Sequence, residues 1–558
     1  MTSNPTAIIL HSLAEKRRWC CLLLVVLCFF LYLPGVFTLP ATDRDESRFA
    51  QASRQMLASG DYVDIHFQKT ARHKKPVGIY WLQATSTALW GENTNNPIAT
   101  YRLPSLLGAI ATILAVYIGG CWLFTPLTGL LAALIMASTM LLQVEARLAK
   151  TDAMLLATIS WSQIIMLRAW LQQSLPRYLA YSFWAVLAAG VLIKGPLIFL
   201  VLGGTLLALC VGGEKPRFQP VKWQWLKQLR PLSGLLLFAV LALPWYILVM
   251  QRTHGAFAQG SLMEDFIPKL LKGQESHGAP PLYYMAMLPL CFFPAFPLLI
   301  AGLPQWWQQR KMPVIRALLC WAVPGWVVFE LVPTKLLHYV LPFYPALALL
   351  AAHGVVMLLS LNRLPRLSVI GRILAVGSFV LVTLAYAALL PVIGWHIDGH
   401  IAPLAVLASI VMLAGMLIAF ILWQRQQLLP ALGSALVTAS LFFILAFQFV
   451  LPNLQKPWLG RSLVQIASNT HINLESALVV GISEPSLVIW WGTNIEFTDA
   501  AHAADILAEK NVPLIIAEPE WPVFQQYWHG ASLREIGRVQ AFNMSKGKEM
   551  QFLLLAKP

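Results

Sequence analysis

The chain has little charge and little cysteine, and both shortages narrow what it can be. Only 12% of its 558 residues are Asp, Glu, Lys or Arg, while 58% are hydrophobic. Apolar runs of about 20 residues recur, the length that crosses a bilayer core of ~30 Å. They are continuous rather than alternating, which excludes a membrane β-barrel. The seven cysteines (Cys20, Cys21, Cys28, Cys121, Cys210, Cys291 and Cys320) all lie within apolar runs, without metal-ligand spacing. A disulfide framework and a zinc site are therefore not expected, and the thiols read as small buried side chains. The chain also has no phosphate-binding Gly-Lys-Ser/Thr loop and no Gly-x-Gly-x-x-Gly dinucleotide fingerprint, so no energy source is visible. No repeat of fixed period and no low-complexity segment occurs.

What is present is an all-α polytopic pattern. The first apolar run, Trp19 to Leu39, follows Lys16-Arg17-Arg18 and ends without a small-x-small cleavage site, so it reads as a retained span with a cytoplasmic N-terminus. Further candidates lie at 101–122, 126–144, 151–170, 178–193, 196–212, 231–251, 282–302, 314–332, 336–360, 370–393, 401–423 and 430–451. Together they make about thirteen spans. The net charge of +15 does not point to nucleic acid, because the bases fall largely in alternate short loops, as the positive-inside bias requires. Those loops hold Arg168 and Arg177; Lys215, Arg217, Lys222, Lys227 and Arg230; Arg310, Lys311 and Arg316; Arg363, Arg366 and Arg372; and Arg425.

An odd number of spans places the C-terminal tail on the far side. The expected division is a transmembrane domain over 1–452, with a first periplasmic loop at 40–100, and a small periplasmic α/β domain over 453–558. In the latter, 477–482, 487–491, 513–517 and 551–556 read as strands and 500–510 as a helix.

Against this background the stretch 43–76 stands out. Asp43, Asp45, Glu46 and Asp61 lie there among Arg44, Arg48, Arg54, Lys69, Arg72, Lys74 and Lys75. Phe49, Ala52, Met56 and Leu57 recur at helical spacing, which suits a helix in the membrane interface, and the apolar run 77–90, too short to span, suits a second interfacial or re-entrant helix. Charge that topology does not explain gathers on the same side. It comprises Arg147, Lys150 and Asp152; Lys194; Glu264, Asp265, Lys269, Lys272, Glu275 and His277; and Lys335, His338 and Tyr339. Ionisable groups near bilayer depth are expensive and need partners or a purpose. A cavity for an anionic, lipid-embedded ligand would supply both.

The order of these motifs resembles the integral-membrane glycosyltransferases of the C-type fold. An acidic segment follows the first span, then Met-Leu-Ala-Ser-Gly-Asp-Tyr, then Lys-Lys-Pro before Tyr80-Trp81. The resemblance is strongest to the bacterial branch containing the lipid A 4-amino-4-deoxy-L-arabinose transferase, related to the protein O-mannosyltransferases. It rests on Asp45-Glu46-Ser47-Arg48-Phe49-Ala50, Lys75-Pro76, Asp152, Lys194-Gly195, Leu243-Pro244-Trp245, and Lys335 with Tyr339, in the same order over the first 350 residues. It implies an inner-membrane enzyme that moves a sugar from an undecaprenyl-phosphate carrier to lipid A or another glycan or protein acceptor at the periplasmic face.

On that footing Asp45 is the expected catalytic carboxylate and Asp152 its support. Lys75, Lys194, Lys269 and Lys335 are candidates for the carrier phosphate, and Glu46, Arg48, His338 and Tyr339 for substrate binding. The resemblance breaks at Lys74 and Asp265, where the family carries Glu and His associated with a metal. No cofactor is therefore assigned, and a divalent metal is left open.

Each residue also has a plainer reading. Asp45 and Glu46 could cap a helix N-terminus, and Lys74 and Lys75 could anchor to anionic headgroups. Asp152 could pair with Arg147 or Lys150, and Lys194 could snorkel at a helix break. His338 could be a hydrogen-bonded helix-end residue, and Tyr339 an interfacial-belt aromatic. A protein acceptor is the alternative within the same chemistry, and a lipid or solute transporter the alternative outside it. Transporters commonly show paired repeats, and none is visible here.

Overall fold

The structure, a computed structural model, describes residues 12–42, 44–93, 95–171, 174–211, 223–268, 278–361, 367–543 and 547–558. A helix or a broken helix stands at each of the thirteen apolar segments. The number of full spans is smaller. Among the described residues eight helices are long and apolar enough to cross a membrane, or nine if the pair Tyr283–Cys291 and Phe296–Gln308, bent by 114°, is one span. The remaining segments depart for local reasons. Helix α1 (Arg17–Tyr32) has 16 residues, and Leu197–Val211 has 15. The run 126–144 is interrupted at Thr139, whose extended backbone separates Pro126–Ser138 from Met140–Glu145.

The helices differ in what surrounds them. Thr100–Leu123 and Asp152–Trp170 are 72% and 78% buried and form the centre of the bundle. By contrast, Pro231–Arg252 and Pro403–Gln424 are only 22% and 28% buried, with Leu232, Leu236, Ile410 and Leu417 on the outside. Apolar surface on that scale needs a hydrocarbon environment rather than water. This is a multi-pass membrane protein.

The charged loop folds as α2 (Arg44–Ser59) and α3 (Gly78–Trp90), joined by a two-residue-strand hairpin, β1 (His66–Phe67) and β2 (Thr70–Ala71). Asp45 and Glu46 occupy the first turn of α2. Glu46 Oε2 accepts from the Thr42 N–H at 3.0 Å, in the manner of a carboxylate satisfying donors at a helix start. The amphipathic stripe is where the sequence places it, but lipid does not cover it. Phe49, Ala52 and Met56 pack against Val77, Ile79, Tyr80 and Ala84 at α3 and against Trp245 and Val249 of the Pro231–Arg252 helix. Burying one such large side chain is worth about 1.5–3 kcal/mol, so protein contacts hold the apolar stripe of α2.

The C-terminal region carries a five-stranded mixed sheet in the order β4-β3-β5-β7-β6, from β3 (Leu478–Val480), β4 (Glu496–Thr498), β5 (Leu514–Ala517), β6 (Arg534–Asn543) and β7 (Lys548–Ala556). Strands β3, β4 and β5 run parallel, and β7 pairs antiparallel with both β5 and β6. The segment expected as a strand at 487–491 is instead the helix Pro485–Trp491, with Pro485 at its first turn, where proline is best tolerated. That helix lies on α2. Arg54 Nη2 donates to the Ile489 carbonyl at 3.0 Å and Gln51 Nε2 to Thr493 Oγ1 at 2.7 Å, while Ile489 is buried among Ala41, Ala50 and Ala149.

Candidate active site

A cavity of about 900 Å³ opens between α2, the bundle and the C-terminal sheet. Among the described residues, its cationic lining comes from the membrane part of the chain: Arg44, Arg48, Arg72, Lys74, Lys75, Lys150 and Lys194. Asp45, Asp152 and Asp265 stand among them.

Asp45 is presented by the first turn of α2 and is open to the cavity, with 58% of its side-chain surface exposed. Its Oδ1 lies 3.3 Å from Arg48 Nη1 and 3.8 Å from Arg72 Nη2. Desolvation by the cavity walls pushes its pKa up, but Arg72, Arg48 and Lys150 outweigh it and hold the carboxyl below the ordinary aspartate value. It is therefore ionised at neutral pH. Arg72, in turn, is nearly buried, with its guanidinium 5.1 Å from the centre of the Phe49 ring.

Asp152 starts the Asp152–Trp170 helix, and Lys194 ends Arg177–Lys194. The two meet because Gly195, at φ +66°, terminates the second helix at the depth of the first. Lys194 Nζ donates to Asp152 Oδ1 at 2.5 Å. His338 Nε2 is 3.7 Å from the same oxygen, and its Nδ1 is 3.7 Å from Glu145 Oε1. Lys150 Nζ lies 3.4 Å from Glu145 Oε1. A chain of ionisable groups thus runs Lys150, Glu145, His338, Asp152, Lys194 along one wall. Asp152 pairs with Lys194 rather than with Arg147. Arg147 is fully buried and ties together the carbonyls of Leu31, Pro34 and Gln143. Tyr339 also lines the cavity, its ring edge-on to His338 at 5.2 Å. Lys75, also on the lining, forms an ion pair with Asp265.

Two sequence candidates lie elsewhere. Glu46 is fully buried and ion-paired, its Oε1 accepting from Arg102 Nε at 2.7 Å and from the Ala149 N–H at 2.9 Å. It locks α2 to the bundle and does not face the cavity. Lys335 is buried too, its ammonium donating to the Phe329 and Glu330 carbonyls at 2.8 and 2.6 Å. It closes a helix C-terminus, where cations are favourable, and is absent from the cavity lining. Lys269, with Lys272, Glu275 and His277, lies outside the described residues.

Among the described residues, those at Lys74 and Asp265 do not form a divalent-metal site. The Asp265 carboxylate is engaged by the Lys75 ammonium, with Lys74 also on the lining. Among the described residues no three His, Cys, Asp or Glu side chains converge to hold an ion. What sequence reasoning did not single out is the contribution of Arg72 and of the C-terminal region, whose Trp458, Glu484, Trp490 and Asn543 close the cavity. Only tertiary contact brings those residues to α2.

Residues 74–247 match the family model described as dolichyl-phosphate-mannose-protein mannosyltransferase. The chain is 27% identical over 439 residues to undecaprenyl phosphate-alpha-4-amino-4-deoxy-L-arabinose arabinosyl transferase 1 of Pseudomonas fluorescens, covering 76% of this chain and 75% of that one. It is 32% identical over 351 residues to the corresponding transferase of Pectobacterium atrosepticum, covering 59% and 58%. The fold is similar to that of ArnT from Cupriavidus metallidurans bound to undecaprenyl phosphate, with a TM-score of 0.72 at 17% identity over 96% of this chain and 97% of that one. It also aligns with the Archaeoglobus fulgidus oligosaccharyltransferase, with a TM-score of 0.52 at 12% identity over 92% and 71%.

Proposed function

We propose that this chain, an integral-membrane glycosyltransferase of the C-type fold, moves a sugar from an undecaprenyl-phosphate carrier to lipid A at the periplasmic face of the inner membrane. The observation that carries this reading is Asp45, ionised and open to a cavity with a cationic lining. The named activity of the curated relatives and the carrier bound to the similar structure support it.

The chemistry follows from where charge develops. Breaking the bond between the anomeric carbon and the phosphate oxygen builds oxocarbenium character on the sugar and negative charge on the leaving phosphate. Arg48, Arg72, Lys75 and Lys194 are fixed before the reaction and meet that charge as it forms, which favours the transition state over the ground state. The acceptor oxygen forms the new bond to the anomeric carbon. If that oxygen is a hydroxyl, Asp45 takes its proton. If it belongs to an ionised phosphate there is no proton to take, and Asp45 stabilises the sugar cation. The product is the glycosylated acceptor, and the carrier phosphate leaves as the monoester.

A protein acceptor with the same donor is the second reading, favoured by the name of the matching family model. The two are separated by mass spectrometry of envelope glycolipids and glycoproteins from cells with and without the gene. Loss of one sugar mass from lipid A, restored by the gene, is the expected result. An unchanged lipid A beside an altered glycoprotein moves the acceptor to protein, and no change in any glycoconjugate contradicts glycosyl transfer.

A further inference from the structure

The cavity is asymmetric in a way that the donor alone does not explain. Among the described residues, every cation on its lining comes from the membrane part of the chain, whereas the C-terminal region contributes aromatic, apolar and uncharged polar side chains and one carboxylate, Glu484, 3.7 Å from Arg44. Trp458, Trp490 and Phe542 line that wall, with Asn543 and Glu484 beside them.

The wall is built rather than incidental. The Trp458 indole is fixed by donating to the Leu451 carbonyl at 3.1 Å. Trp490 lies against the Gly460 backbone, and a Cβ on Gly460 would come within 2.6 Å of the indole, so glycine is what allows the ring to lie flat there. The helix bearing Trp490 is held to α2 by the Arg54 and Gln51 hydrogen bonds to its carbonyl ends and following turn. The wall therefore stands at a set distance from Asp45. Trp490 is partly exposed and lines the cavity, so part of its ring is open to a ligand.

A flat indole beside amide and carboxylate acceptors suits a pyranose ring. The ring's axial C–H face packs on the aromatic surface while its hydroxyl or amide groups reach the polar side chains. We propose that Trp490, with Trp458 and Asn543, forms the subsite for a sugar ring of the acceptor, so that the cavity divides into a cationic donor half and an aromatic acceptor half. This rests on the reading above, in which the acceptor is a glycolipid.

The test is equilibrium binding of two probes, lipid A and undecaprenyl phosphate, to the full-length protein in lipid nanodiscs, as wild type, Trp490→Ala and Trp490→Phe. Losing the stacking surface should weaken lipid A binding roughly tenfold in Trp490→Ala. Trp490→Phe should recover most of it, and undecaprenyl phosphate should bind all three proteins alike. Unchanged lipid A affinity in Trp490→Ala overturns the subsite. So does an equal loss of both probes, which would make Trp490 a purely structural residue. A wild-type protein that binds undecaprenyl phosphate but not lipid A overturns the acceptor, and the subsite with it. One that binds neither probe overturns the donor assignment itself.

Discussion

Arg102 Nε donates to Glu46 Oε1 at 2.7 Å, and neither side chain meets solvent. One residue before Glu46 along α2, Asp45 opens into the cavity, so two adjacent acids in one helical turn have separate tasks. Glu46 fixes the turn, and Asp45 faces the cavity. Removing one member of a buried pair leaves an uncompensated charge and costs about 3–5 kcal/mol. Glu46→Ala is expected to lower thermal stability by that order, measured by unfolding in detergent. Glu46→Ala at wild-type stability would contradict the structural role.

Arg72 makes the largest favourable contribution to ionised Asp45. A carboxyl whose folded pKa is depressed stays charged as pH falls through the ordinary range and loses its charge only on passing the depressed value. Transfer that depends on charged Asp45 should therefore persist into mildly acidic conditions. Arg72→Gln should move the acid limb of the pH–rate profile to higher pH. An acid limb that does not move would show that Asp45 ionisation does not govern the rate.

Lys75 and Lys335 separate a cavity cation from a structural one. Lys75→Ala should slow transfer by about 10²-fold or more, because a charge aimed at the leaving phosphate is lost. Lys335→Ala should lower stability by freeing buried carbonyls, an effect of about 1–3 kcal/mol, with the donor KM unchanged in the protein that folds. A donor KM raised by Lys335→Ala would place its ammonium at the substrate after all.

The Asp152–Lys194 pair is nearly buried, at 8% and 11% side-chain exposure. Lys194→Met alone should be strongly destabilising, because Asp152 keeps its charge with one partner fewer. Adding Asp152→Asn should restore part of the loss. A coupling below about 0.5 kcal/mol in this double-mutant cycle would show the two to be independent.

Much of the membrane part was legible because hydrophobic run length is a strong signal, and all thirteen runs coincide with helices. Their interruptions were not legible, since Thr139 and the bend before Phe296 depend on packing. In the C-terminal region the run 487–491 was read as a strand because a short apolar run has no telling period. β6 was passed over because Arg534, Glu535 and Arg538 make its first half polar. At the site, Asp45, Asp152 and Lys194 could be found from order and charge. Glu46 and Lys335 sit in equally suggestive places in the sequence, and only their buried partners, Arg102 and two helix-end carbonyls, reveal the structural role. The tryptophan wall is invisible in the sequence because more than 400 residues separate Trp490 from Asp45.

The most direct test of the central claim is transfer by purified protein in nanodiscs, supplied with an undecaprenyl-phosphate-linked aminopentose and lipid A and read by mass spectrometry of the lipid product. The wild type is expected to add one sugar. Asp45→Asn should bind undecaprenyl phosphate as the wild type does, yet transfer at least about 10²-fold more slowly. Full transfer by a correctly folded Asp45→Asn protein would contradict the account.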